Sequence, residues 1–198
     1  MMTPDLERAI PVVGFVGPSG VGKTSLVERL VAELKRRGLS VGAVKHASHG
    51  FLADRPGKDS HRLYESGADA VALISREQIA TFARAERGVG EEVSLAEALA
   101  TLPRDLDLVL AEGFSWEPIP RVVLLRGDEE PAPAHVESGE VLDVVSIPDP
   151  PYGEKPEYPE ALIEMLTHML EARVREADAT RRAAGGTGRR TVAHESAA

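Results

Sequence analysis

The sequence predicts an α/β fold in which a mostly parallel central sheet is layered between helices. Three observations carry this. Short apolar runs bounded by turn residues recur along the chain, as parallel strands buried on both faces require. Helical patterns of apolar residues alternate with those runs. At the junction of the first run and the first helical pattern lies a glycine-rich loop, Gly17-Pro18-Ser19-Gly20-Val21-Gly22-Lys23-Thr24. This matches G-x-x-x-x-G-K-[ST] and places the fold among the three-layer α/β/α P-loop NTPase architectures.

Each element follows in order. Pro11 to Val16 is an unbroken apolar run and reads as the first strand. From Thr24 to Arg37, Leu26, Val27, Leu30, Val31 and Leu34 recur at helical spacing, and Gly38 stands at the usual stop position. Ser40 to Lys45 is the second strand, which completes a βαβ unit. A polar stretch follows over residues 46–58. Asp59 to Ser66 is a short helix closed by Gly67, and Ala70 to Ser75 and Gln78 to Arg84 read as hairpin partners. Ser94 with Glu97 has the capping-box form and opens a helix ending before Pro103. Leu106 to Ala111, Arg121 to Leu125 and Val141 to Ile147 are further strands, and Pro159 to about Glu176 is the closing helix. One nucleotide-binding domain is expected over residues 1–177, with a flexible tail over 178–198.

Composition narrows the function. The 198 residues carry a formal charge of −9, and the tail contributes positively, so the body is more acidic still. A broad nucleic-acid or anionic-membrane surface is therefore not expected. No apolar run approaches the roughly 18 residues of a membrane span. The absence of cysteine removes thiolate chemistry and agrees with a cytoplasmic protein. Three of only five lysines, Lys23, Lys45 and Lys58, fall in the motifs that draw notice.

The loop chemistry is specific. Glycines let backbone N–H groups turn inward around phosphate oxygens, and the following helix offers its positive end. Gly17, Ser19, Gly20, Val21, Gly22, Lys23, Thr24 and the adjoining Ser25 form the expected phosphate-binding set. Lys23 is expected to reach the β- and γ-phosphates and the Thr24 hydroxyl to ligate Mg²⁺. A magnesium site also needs a carboxylate at the carboxyl end of a nearby strand. Glu112 closes its apolar run and suits that role, whereas Asp107 opens the same run and reads as a solvated strand start. Lys45 and Lys58 are placed where cations can face phosphate. Asp59 is either a second magnesium carboxylate or a helix cap. His46, His49 and His61 with Asp54 could hold a transition metal, bind an anion, or simply line a polar loop.

At this point the chain resembles a known family. The phosphate loop, Lys45-His46 with His49, Asp54 with Pro56-Gly57-Lys58-Asp59-Ser60, the Gly67-Ala68 pair and Ala111-Glu112-Gly113-Phe114 are together similar to MobB, the molybdopterin-guanine dinucleotide biosynthesis protein B. The likeness runs from about Val12 to Leu125. It implies a GTP-binding protein with weak GTPase activity that assists a guanylyltransferase, MobA, in joining GMP to molybdopterin. It also implies a homodimer. Carried over by motif, Asp59 and Glu112 surround magnesium with Thr24, and Lys45, His46, Lys58 and Ser60 line the adjoining groove. Lys23 and Glu112 are the residues expected to act in hydrolysis.

Two features depart from the family. A lysine commonly follows its Glu-Gly-Phe segment, where this chain has Ser115-Trp116. No Asn-Lys-x-Asp guanine-reading motif is present; Asp149, after the last strand, is the residue positioned to read a guanine edge. Other classes remain as alternatives. A P-loop small-molecule kinase needs an arginine lid, for which Arg84, Arg87 and Arg104 are scattered. A metal-delivery GTPase would rest on the loop histidines, and a pure adaptor would bind nucleotide for structure alone.

Overall fold

The computed structural model describes residues 10–48, 50–52, 54–85, 93–148 and 156–184. In chain order the elements are β1 (Val12–Val16), α1 (Lys23–Arg36), β2 (Val41–Lys45), α2 (Asp59–Glu65), β3 (Ala70–Ile74), β4 (Ile79–Ala83), α3 (Leu95–Ala100), β5 (Leu108–Glu112), β6 (Arg121–Arg126), α4 (Pro133–Val136), β7 (Val141–Ile147) and α5 (Glu160–Ala183). Where the sequence leads one to expect a single domain over 1–177, the described residues fall into two compact units. One runs to His46 and resumes at Ser94; the other is Ala47–Val93.

The larger unit is a five-stranded sheet of order β2-β5-β1-β6-β7, and every pairing in it is parallel. The βαβ unit is thus not a pair of neighbours: β5 lies between β1 and β2. Side chains alternate across the strands, as the two-residue period requires. Val13, Phe15, Leu108, Leu110, Val122 and Leu124 meet Leu26, Leu30 and Leu34 of α1 and Ile163, Leu166 and Leu170 of α5. On the opposite face Ala111 packs with Leu95 of α3, and Val16, Val123 and Leu125 with Val136 of α4. This is the predicted three-layer arrangement. Each fully buried side chain of this size contributes roughly 1.5–3 kcal/mol.

Capping follows the sequence signals closely at α3. Glu97 N donates to Ser94 Oγ at 3.2 Å, and Ser94 N donates to the Glu97 carboxylate at 3.0 Å. Helix α5 corrects one expectation: residues 178–183 are helical rather than part of a flexible tail. Alanines favour helix there, the Arg181–Asp178 pair closes at 2.9 Å, and the Thr180 hydroxyl donates to Glu176 O at 3.0 Å. Residues beyond 184 lie outside those described.

In the smaller unit β3 and β4 pair antiparallel as the expected hairpin, with Ile74 opposite Ile79 and Ala70 opposite Ala83. Arg84 anchors it to α2 by stacking on Tyr64, 4.3 Å from the ring centre, and by donating to the Tyr64 and Ala68 carbonyls. That arginine is engaged within its own unit. Among the described residues, no helix is long and apolar enough to cross a membrane.

Candidate functional site

Two glycines force the path of the loop between β1 and α1. Gly17 has φ +145°, and a Cβ there would stand 2.2 Å from the Leu124 carbonyl oxygen. Gly22, the residue before α1, has φ +110°, and its Cβ would meet the Tyr158 hydroxyl at 2.4 Å. No side chain fits either place. Val21 is buried in the α1–α5 core and pins the loop from beneath, while Ser19 and Gly20 stay exposed. Lys23, Thr24 and Ser25 form the first turn of α1, whose N–H groups have no helical partner.

Strand register places the rest. Phe15, Glu112 and Lys45 are aligned across β1, β5 and β2, so Glu112 and Lys45 end level with the start of the loop. The Thr24 hydroxyl donates to the Glu112 carboxylate, 2.9 and 2.8 Å from its two oxygens. Lys45 Nζ donates to Thr24 Oγ1 at 3.0 Å and pairs with Glu112 Oε1 at 2.9 Å. Lys23 Nζ folds back onto the carbonyls of Gly17 (2.9 Å) and Pro18 (2.6 Å). Burial lowers the Lys23 pKa and the positive Lys45 adds to that, while Glu112 opposes it. Three segments distant in sequence, carrying Lys23-Thr24, Lys45 and Glu112, thus converge at the carboxyl edge of the sheet, where ligands of open α/β folds gather.

The oxygen donors of Thr24 and Glu112 suit a hard divalent cation. Mg²⁺ is commonly held by one or two protein oxygens, the remainder coming from water and phosphate. The Lys45 ammonium bridges those same two oxygens, so this corner already attracts positive charge. Among the described residues no group of three or more His, Cys, Asp or Glu side chains is arranged to hold a metal. His46 donates its N–H to Glu112 O at 2.9 Å, and its ring meets Trp116 edge to face. His49 and Asp149 lie outside the described residues.

Lys58, Asp59 and Ser60 belong to the smaller unit. Lys58 takes the position before α2 and makes no side-chain cap; Asp59 begins the helix without capping it. The Asp59 side chain is 99% exposed and reaches Arg62 only at 3.9 Å. Ser60 is buried and its hydroxyl donates to Asp54, whose pKa this bond and the Arg55 N–H lower. At the start of β5, Asp107 is a strand tie: its carboxylate accepts from Ser40 N at 2.8 Å.

Several residues here were not singled out by sequence. The Tyr158 hydroxyl donates to Gly22 O at 2.7 Å, and burial pushes its pKa up to about 12. Arg126, at the end of β6, donates to Gly20 O; its strand-end position was the available signal. Arg121 is completely buried, which lowers its pKa, and it donates to the carbonyls of Ser115, Glu117 and Ile119. His135 of α4 has a buried Nδ1 without a hydrogen-bond partner. Burial, then the charges of Lys23 and Arg121, lower its pKa.

Comparison with known proteins supplies the family. Two relatives named "Molybdopterin-guanine dinucleotide biosynthesis adapter protein" align over 121 residues. The Haemophilus influenzae protein is 39% identical and the Escherichia coli K12 protein 37%, each alignment covering 61% of this chain. The aligned stretch spans 66% and 68% of those two relatives. A crystal structure of molybdopterin-guanine biosynthesis protein B superposes with a TM-score of 0.61 at 29% identity, over 83% of this chain and 99% of that one. A MobB homologue from Bacillus stearothermophilus gives 0.57 at 28% identity, over 83% and 98%. The family model described as molybdopterin guanine dinucleotide synthesis protein B matches residues 12–147, and the chain, with its P-loop fold, belongs to that family.

Proposed function

We propose that this protein is a GTP-binding accessory protein of molybdenum-cofactor biosynthesis. In that role it assists a guanylyltransferase in forming molybdopterin-guanine dinucleotide and hydrolyses GTP only weakly. The observation that carries the reading is the convergence of Thr24, Glu112 and Lys45 beside a glycine-forced phosphate loop. The family match supports the pathway, and guanine as the base is taken from it.

The chain's own residues have definite tasks in this reading. Lys23 leaves the Gly17 and Pro18 carbonyls for the β- and γ-phosphates. The loop amides and the first turn of α1 accept the anion's charge. Thr24 and Glu112 would hold Mg²⁺, which supplies neutralisation of the phosphate oxygens when bound. Lys45 then gives up its shared place and turns to phosphate, and His46 borders the groove. Among the described residues of the larger unit, Arg126 is the arginine tied to the phosphate loop.

We also infer a cytoplasmic homodimer. Ile74 and Ile79, each 76% exposed and opposite one another on the hairpin, offer an apolar surface for a second copy. Light scattering should give twice the chain mass.

Calorimetry with Mg·GTP and Mg·ATP tests the central reading. GTP should bind in preference, and Lys23→Ala should weaken it by roughly 100-fold, the loss of two charge-assisted hydrogen bonds. Glu112→Gln should abolish the magnesium dependence of binding while leaving the metal-free affinity. Equal binding of both nucleotides, or none, overturns the proposal.

A further inference from the structure

Trp116 is the chain's single tryptophan, and it remains 41% exposed on the loop that follows Glu112. Phosphate chemistry does not require an aromatic there. The residue is nevertheless fixed. The His46 ring meets it at 4.9 Å and 86°, and Phe114 lies 5.7 Å away. Phe114 is itself buried at φ +54°, a conformation bulky residues rarely adopt.

The anchoring has an identifiable source. Arg121 donates to the carbonyls of Ser115 and Glu117, the residues on either side of Trp116. The Glu117 carboxylate in turn accepts from Leu95 N at 2.7 Å, tying the loop to α3. A fully buried guanidinium therefore holds a half-exposed indole in place. Rigid presentation of an aromatic face lowers the ordering cost of a stacked ligand.

Its position selects the ligand. Strands β5 and β2 lie on one side of β1, and β6 and β7 on the other. In P-loop proteins the lysine and the metal engage the β- and γ-phosphates. Thr24 and Glu112 therefore mark the γ-phosphate end, and Trp116 and His46 follow directly from Glu112 and Lys45 on that side. The nucleotide's own base lies beyond the α-phosphate, at the far end of the ligand. A ring stacked on Trp116 is thus a second ligand's ring. Lys45, the residue before His46 on β2, keeps its ammonium half exposed at this edge of the sheet and suits a phosphate on that ligand.

We propose that Trp116, backed by His46, is a stacking platform for the planar ring of a phosphorylated pterin bound next to the nucleotide. This rests on the nucleotide reading above, and the family description supplies the pterin class. Stacking of a heterocycle on an aromatic side chain corresponds to roughly 10-fold or more in affinity.

The test uses the full-length protein with neopterin monophosphate, with and without a non-hydrolysable GTP analogue and Mg²⁺. With analogue bound, the pterin should quench Trp116 emission saturably and bind measurably by calorimetry. Trp116→Leu should weaken the pterin roughly 10-fold and leave analogue affinity unchanged, whereas Trp116→Phe should keep most of it. Wild-type protein that binds the analogue but not the pterin overturns the platform. So does a Trp116→Leu protein that binds the pterin normally, or one that loses the analogue as strongly as the pterin. Wild-type protein that fails to bind the analogue instead overturns the nucleotide reading.

Discussion

The two compact units are held together by different forces. In the sheet unit Phe15, Leu26, Leu30, Leu110 and Leu166 are completely buried, and one apolar cluster spans both long helices. In the unit of residues 47–93 only Ser60 and Val71 are buried among the described residues. Its organisation comes from the hairpin ladder and from the Arg84 ties to Tyr64 and Ala68. Isolated two-stranded hairpins are marginal in water. The lesson is that the phosphate loop stands on a continuous apolar core, while the described residues of the other unit keep most of their apolar side chains exposed.

Substitutions can break this contrast. Leu110→Ala, at the centre of the sheet, should cost about 3–4 kcal/mol in chemical denaturation. A cost below about 1 kcal/mol would mean the sheet core is less dominant than its burial implies.

Arg121→Met comes next, at about 2–4 kcal/mol, because three carbonyls lose their donor. The emission of Trp116 should shift to the red in the same protein, since its loop loses the anchor. Unchanged emission would show that the loop stands without the guanidinium.

Tyr158→Phe should cost about 1 kcal/mol at neutral pH, the worth of its bond to Gly22 O. The folded-state pKa near 12 lies above the ordinary value of 10.0. Stability from this group is therefore complete below pH 10 and lost as pH climbs toward 12. Phenylalanine has no such loss, so the gap between the two proteins should close over that window.

The smallest effect is expected in the other unit. Ile79→Ser should change monomer stability by no more than about 0.5 kcal/mol, as surface substitutions do. If the hairpin joins two copies, the same change should halve the mass seen by light scattering.

Local signals proved readable in the sequence. The β1–loop–α1 junction, the Ser94–Glu97 capping box and the hairpin partners lie where turn, cap and period rules put them. The order of the sheet was not readable, because the insertion of β5 between β1 and β2 depends on contacts more than sixty residues apart. Helix α4 had a usable sign in Pro133, a residue favoured in the first turn, but four residues leave no periodicity. Around the site, Thr24, Lys45 and Glu112 come together from strand-end and loop positions alone. Arg121 escaped because a charge at a strand start normally faces water, and its burial depends on how the 113–119 loop wraps it. Tyr158 escaped because nothing local links it to Gly22, 136 residues away.

The internal bonding of the phosphate site has a kinetic consequence. Lys23 is satisfied by its own loop carbonyls and Glu112 by Thr24 and Lys45, so the polar groups at this corner have partners within the chain. On the function proposed above, a nucleotide would exchange places with these partners, each bond it makes replacing one given up. Free energy released on binding is thereby trimmed, and the return path is eased by partners waiting to re-form. On that proposal such a pocket favours short residence over tight retention, the behaviour suited to presenting a ligand rather than keeping it.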